Sequence, residues 1–149
     1  MMRNEQAIVE LFSDSVVKWP CDALAVGVYE HGKPQDALEK AGSAWLAEVQ
    51  RVLALGWLRG KEGEFLILPL AHAASGPSRL LLMGLGKEDA ITPLTLEHTG
   101  ARLIKTAQTH GITRLGCLIA MDRHHGISPS RCVQHLAQGA WSGSYRFDQ

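Results

Sequence analysis

Neither sign of charge is in excess in this sequence: fifteen Lys and Arg residues balance fifteen Asp and Glu over 149 residues. A chain with no positive excess has no general electrostatic reason to seek DNA or anionic lipid, so nucleic acid is not expected as a partner. Long hydrophobic runs are missing too. Apolar stretches such as Leu80 to Met83 fall far below the ~20 residues that span a bilayer, so no membrane partner is expected either. The first residues carry Arg3, Glu5 and Glu10 around no long apolar core and do not read as a secretory signal. Cysteine is scarce. Cys21, Cys117 and Cys132 are odd in number, and no two are spaced as zinc ligands or as a Cys-x-x-Cys pair. The expectation is three reduced thiols, two of them buried, in a soluble cytoplasmic protein.

What is present is an ordinary globular composition, 46% hydrophobic and 20% charged. A chain of this length fits one domain, residues 1–149, that can bury a core without disulfide or metal staples. Ala7 to Phe12 reads as a short strand, and Asp22 to Tyr29 as a second whose near-continuous apolar run suits cover on both faces. Pro34 to Leu55 reads as helix in two pieces, broken near Gly42-Ser43. Trp45, Val49, Val52 and Leu53 fall on one face, and Gly56 stands where a left-handed cap is wanted. Further strands are expected at Glu64 to Leu70, Arg79 to Met83 and Leu115 to Ala120, with Gly84-Leu85-Gly86-Lys87 as a loop ending the second of these. Thr92-Pro93 and Ser128-Pro129 each place a hydroxyl at an N-cap and proline at the first helical position. They announce helices to about His110 and about Trp141, the first stopped by Gly111. Strands alternating with amphipathic helices imply an α/β fold with helices on both faces of a largely parallel or mixed sheet.

The chemistry-bearing residues form no evident active site. Gly84-Leu85-Gly86-Lys87 begins like a glycine-rich phosphate loop, but Asp89 follows Glu88 where a dinucleotide fingerprint needs a third glycine, and no Ser or Thr follows Lys87. It reads either as a plain turn or as an anion contact through Gly84, Gly86 and Lys87. Gly60-Lys61 departs from the Walker pattern as well, since Gly56 precedes it by four positions and Glu62 follows. Asp122, His124 and His125 are the densest set of potential metal ligands. Adjacent side chains point apart, though, and a zinc site needs three or four that converge. No Gly-x-Ser-x-Gly elbow is present, so neither a catalytic nor a metal-binding residue is assigned. Trp19, Trp45, Trp57 and Trp141 suit core or interface anchoring better than a ligand cage.

Three blocks carry a resemblance. Leu58-Arg59-Gly60-Lys61-Glu62-Gly63-Glu64, with the strand after it, resembles the Gly-Lys-x-Gly-Glu block of N-terminal domains in the leucyl (cytosol) aminopeptidase family, peptidase family M17. Arg79 to Lys87 is similar to that family's next strand and its Gly-Leu-Gly-Lys loop, and Gly139 to Asp148 to the segment closing the domain. Asp22 to Tyr29 suits the family's early strand, and the order and spacing of the blocks span nearly the whole chain. The resemblance implies a macro-domain-like three-layer α/β/α sandwich with a mixed, mostly parallel sheet. It also implies kinship with cytosolic hexamers that remove N-terminal residues, often leucine, using two divalent metals such as zinc or manganese. The family's Asn-Thr-Asp-Ala-Glu-Gly-Arg metal block and its catalytic lysine and arginine belong to a C-terminal domain, which these residues do not include. No cofactor is expected in this chain, and its partner is expected to be that catalytic domain or a copy of itself. Trp141, Tyr145 and Phe147 are candidate contacts, or else they cover the domain's own core. The rival reading is a macro-like module binding ADP-ribose near Gly84, Gly86 and Gly27, which calorimetry with that ligand would discriminate.

Overall fold

The computed structural model describes residues 21–41, 43–70, 77–119, 122 and 124–145, and their side chains except at 40–41, 43–44 and 143–145. The strand expected at Ala7 to Phe12 lies outside the described residues. The sheet is built on β1 (Ala23–Tyr29), which pairs in parallel with β4 (Arg79–Gly86) on one side and with β5 (Leu115–Cys117) on the other. Beyond its contact with β5, β1 also meets β2 (Lys33–Pro34) in antiparallel register. β3 (Phe65–Pro69) lies antiparallel against β4.

The expectation of a mostly parallel sheet is therefore corrected. Among the described residues two pairings are parallel and two antiparallel, so the sheet is mixed. Connection length explains the difference. A parallel pair needs a crossover of about a dozen residues or more, and the chain between Pro69 and Arg79 is too short for one. At β2, two left-handed residues, His31 (φ 72°) and Gly32 (φ 74°), turn the chain straight back. Pro34, expected to open a helix, instead ends this two-residue strand, where its missing N–H is tolerated.

Alternation along the strands sorts the core into two halves. Leu24, Val26 and Val28 of β1 and Leu80 and Leu82 of β4 pack with Leu38, Val49 and Val52. The last three belong to α1 (Ala37–Ala41) and α2 (Ser43–Ala54), the two helical pieces. On the opposite face, Ala25, Tyr29, Leu81, Met83 and Leu85 pack with Leu96, Leu103, Cys132 and Leu136. These last come from α3 (Pro93–Thr109) and α4 (Pro129–Tyr145). Three layers result, and apart from the Tyr29 hydroxyl β1 throughout and β4 after Arg79 carry no polar side chain because both faces are covered. An added Cβ on Gly139 would stand 1.8 Å from the Glu97 carbonyl oxygen, and one on Gly100 2.1 Å from that of Leu136. These two glycines let α3 and α4 touch backbone to backbone.

The signals at Thr92 and Gly56 act as expected, whereas the Ser128 hydroxyl before α4 meets the Ser130 hydroxyl (3.3 Å). Thr92 caps α3 by accepting from the Thr95 amide, while the Thr95 hydroxyl accepts from the Thr92 amide, closing a capping box. Gly56 adopts φ 76° after α2, and its amide donates to the Leu53 carbonyl. The cysteines differ from expectation: Cys132 alone is buried, and Cys21 and Cys117 are half-buried. Both flank strand ends, where a three-residue β5 and the first turn into β1 leave one side open to water.

Asp22 ties the start of β1 to the approach to β5. Its carboxylate accepts from the Thr113 amide (3.2 Å), the Thr113 hydroxyl (3.3 Å) and the Arg114 amide (3.0 Å). Burial pushes its pKa up, but the Thr113 and Arg114 donors outweigh that and hold it below the ordinary value. A depressed folded-state pKa contributes stability above the unfolded value, near ~4, and that stability is lost as pH falls through the folded value. Asp22→Asn is expected to lower Tm at neutral pH and to converge with the parent as pH falls through the depressed folded-state pKa and the carboxylate becomes protonated in both states. A Tm gap that stays the same size as pH is lowered from neutrality into the acid range would show that the charge plays no part.

Candidate functional site

The two glycine-bearing blocks meet at the ends of β1 and β4. Gly84, Leu85 and Gly86, expected as a loop, are the last residues of β4, with Gly84 opposite Val28 and Gly86 opposite Tyr29 across a register shift. The reason is a close crossing by the segment from Gly60 to Glu64. An added Cβ on Gly84 would lie 2.0 Å from the Lys61 carbonyl oxygen, and one on Gly60 (φ 91°) 2.0 Å from that of Tyr29. With both side chains absent, the segment bonds along the strand. The Gly84 amide donates to Glu64 (2.7 Å), the Gly63 amide to Gly84 (3.2 Å) and the Gly86 amide to Gly60 (2.9 Å).

The block Gly60-Lys61-Glu62-Gly63-Glu64 thus has a structural reason at each landmark. Gly60 and Gly63 supply left-handed turns at φ 91° and 90°. The Glu64 carboxylate accepts from the Lys61 amide (2.7 Å), and the Glu64 amide donates to the Lys61 carbonyl (3.0 Å), closing the turn on itself. The amides of Gly84 and Gly86 are engaged in this backbone crossing, and Lys87 stands exposed beyond it.

A buried polar network fills the ends of the parallel strands on the α1 side and between β1 and α4. Gln35, almost fully buried, accepts from the Gly27 amide (2.7 Å) through its side-chain oxygen. Its amide nitrogen donates to the Leu118 carbonyl (2.9 Å) and the Asp122 carboxylate (3.0 Å). The same carboxylate oxygen accepts from the Ala37 amide (3.0 Å), at the first residue of α1, where negative charge is favoured by the open helix end. On the other side Tyr29 hydrogen-bonds His124, whose second ring nitrogen bonds the Ile119 carbonyl. Burial, then the Asp122 charge, push the Tyr29 pKa up, so its hydroxyl stays protonated. A carbonyl only accepts, so the proton sits on Nε2 of His124, and Tyr29 donates to Nδ1.

This arrangement decides the possible metal ligands singled out in the sequence. The Asp122 carboxylate and both nitrogens of His124 are engaged within the protein, and His125 is exposed in a left-handed turn (φ 46°). Among the described residues no three His, Cys, Asp or Glu side chains are grouped to hold a metal ion. The donor set therefore does not fit the two divalent metals that the resemblance implies for a catalytic domain. Burial raises the pKa of Cys132 and of Cys21, which disfavours the reactive thiolate in both. No helix among the described residues is long and apolar enough to cross a membrane.

Trp141 is 43% exposed near the end of α4, and Tyr145 is that helix's last residue, while Phe147 lies outside the described residues. Sequence reasoning did not single out Gln35, Tyr29 or His31. Gln35 carries no signal in a string such as Pro34-Gln35-Asp36, because a polar side chain's burial depends on partners distant in sequence.

Fold and site together define a macro-like α/β domain whose strand ends are sealed by its own polar groups. The family model described as the N-terminal domain of the cytosol aminopeptidase family matches residues 25–149, and the chain belongs to that family. It is 24% identical over 142 residues to "Probable cytosol aminopeptidase" of Alkaliphilus oremlandii, an overlap covering 95% of this chain and 28% of that protein. With the protein of the same name from Aquifex aeolicus it shares 29% identity over 142 residues, 95% of this chain and 27% of the relative. The chain thus spans under a third of these relatives' length. Among solved structures, the bottromycin maturation enzyme BotP matches with a TM-score of 0.59 at 19% identity, over 86% of this chain and 24% of BotP. The macrodomain of Mycobacterium tuberculosis DarG matches with a TM-score of 0.60 at 14% identity, over 86% of both chains. Both likenesses concern the fold.

Proposed function

We propose that this chain is the non-catalytic accessory domain of a cytoplasmic leucyl aminopeptidase, with a role in assembly or regulation of a metal-dependent catalytic domain. The observation that carries the reading is the family match over residues 25–149, and the lack of a metal-binding cluster among the described residues supports it. Relatives bearing the name of a cytosol aminopeptidase support the cytoplasmic location. Two-metal hydrolysis needs clustered ligands that clamp both ions, and in this reading those ligands reside in the catalytic domain with zinc or manganese.

The docking face is proposed at the end of the α3/α4 pair. Gly139 lies against Glu97 and Gly100 against Leu136, so the helices run in opposite directions and bring Leu94 and Trp141 to the same end. Leu94 is 58% exposed and Trp141 43%. Aromatic and aliphatic side chains in such positions suit the core of an interface with a catalytic domain or a second copy, with Tyr145 and Phe147 as further contacts. The macro-like alternative, ADP-ribose held near Gly84, Gly86 and Lys87, draws on the DarG likeness. The engaged amides of Gly84 and Gly86 weigh against it.

Hydrolysis of a leucine chromogenic amide by the purified chain, with manganese or zinc added, tests the reading. The expected outcome is no turnover above the metal-only blank. Metal-dependent turnover that survives repurification would overturn it.

A further inference from the structure

An open cleft of about 400 Å³ lies beside the end of β1, and its lining includes the basic residues His31, Arg59 and Lys61. Among the described residues none of these three side chains has a hydrogen-bond or ion-pair partner. One acid, Glu30, shares the lining with the three basic residues, so the fixed charge of the cleft is net positive although the chain as a whole is neutral. Leu53 and Leu58 supply an apolar wall.

The fold holds these groups in place from several directions. The Gly32 amide donates to both Tyr29 and Arg59 carbonyls (3.2 Å each), binding the turn after β1 to the segment that carries Arg59. His31 is kept left-handed in that turn at φ 72°, a conformation uncommon for a residue with a side chain. The Lys61 amide is fixed by Glu64, which leaves the Lys61 side chain to the cleft.

We infer that this cleft is a binding site for a small phosphate-bearing molecule, with its phosphate or pyrophosphate group against Arg59 and Lys61 and its organic part against Leu53 and Leu58. Guanidinium and ammonium groups together suit phosphate oxygens, one as a planar fork and the other as a compact point charge. The volume is that of a small-ligand pocket. Gly84, Gly86 and Lys87 do not line the cleft, so the site is distinct from the glycine-loop reading, and it does not depend on the accessory-domain role.

The test is titration of the isotope-labelled full chain with inorganic pyrophosphate at constant ionic strength, followed by amide NMR shifts. Citrate serves as a parallel polycarboxylate arm. Saturable shifts are expected at Gly32, Gly56 and Arg59, with citrate binding several-fold more weakly. Arg59→Gln and Lys61→Gln each remove an exposed charge that supports no other contact, and each is expected to weaken pyrophosphate at least about fivefold. Lys105→Gln, on the exposed side of α3, should leave the affinity unchanged while removing the same charge. No saturable shift at the cleft up to about 10 mM, weakening by Lys105→Gln equal to that by Arg59→Gln, or citrate binding as tightly as pyrophosphate would each overturn the assignment.

Discussion

Gly60→Ala is expected to destabilise the domain by about 3 kcal/mol or more, lowering Tm by roughly 10 °C. Two terms add. A residue with a Cβ in the left-handed region costs about 1–2 kcal/mol. The new methyl would also lie 2.0 Å from the Tyr29 carbonyl oxygen and 2.4 Å from its carbon, and overpacking of this kind costs about 1–3 kcal/mol. Those atoms are backbone of the central strand, so they cannot swing aside as a side-chain terminus could. Gly111→Ala isolates the first term. Gly111 has φ 70° but nothing within 4 Å of an added Cβ, and its replacement should cost about 1 kcal/mol. Thermal unfolding of both variants beside the parent measures the difference. Equal Tm losses would mean that the crossing of the Gly60–Glu64 segment over β1 and β4 is not as close as described.

The second large effect is expected at Gln35. Gln35→Met keeps the length of the side chain and removes its amide, which leaves the Gly27 amide and the Leu118 carbonyl without their partner and strips one donor from Asp122. An unsatisfied buried polar group costs about 1–3 kcal/mol. With three groups affected and some relaxation, a loss of about 3 kcal/mol is expected. Gln35→Glu separates the bonds: it retains an acceptor for Gly27 but places a second carboxylate beside Asp122. Like charges at that distance raise one pKa of the pair, so Gln35→Glu should be least stable at neutral pH and recover toward the parent as pH falls below about 5. Urea unfolding at two pH values reads this directly. A Gln35→Met variant as stable as the parent would show that water replaces the amide without loss, and that the network does not seal the strand ends.

How much of this was legible beforehand follows from the range over which each feature is encoded. The helix starts at Thr92-Pro93 and Ser128-Pro129 and the cap at Gly56 depend on residues within one turn of each other, so reading along the chain found them. The two-sided burial of β1 was legible for the same reason, as an unbroken apolar run. Strand direction was not. The expectation of a mostly parallel sheet followed the alternation of strands and helices and overlooked the connection between Pro69 and Arg79, which is too short for a parallel crossover.

The glycine blocks show the boundary most clearly. Their kinship with the cytosol aminopeptidase N-terminal domain could be read from order and spacing, but the same residues left an anion contact open beside a plain turn. The structure puts their amides into backbone bonds between segments twenty or more residues apart, with Gly84 bonded to Glu64 and Gly86 to Gly60. Asp122 and His124, weighed as metal ligands and not assigned as such in the sequence, are partners of Gln35 and Tyr29 in space. By itself the sequence determined the local elements, the layered α/β class and the family, because helical caps, apolar runs and motif spacing are written in neighbouring residues. Only the tertiary structure decided which polar groups are already satisfied and which, as at Arg59 and Lys61, still face open space. A hydrogen bond between distant residues exists only once the chain has folded.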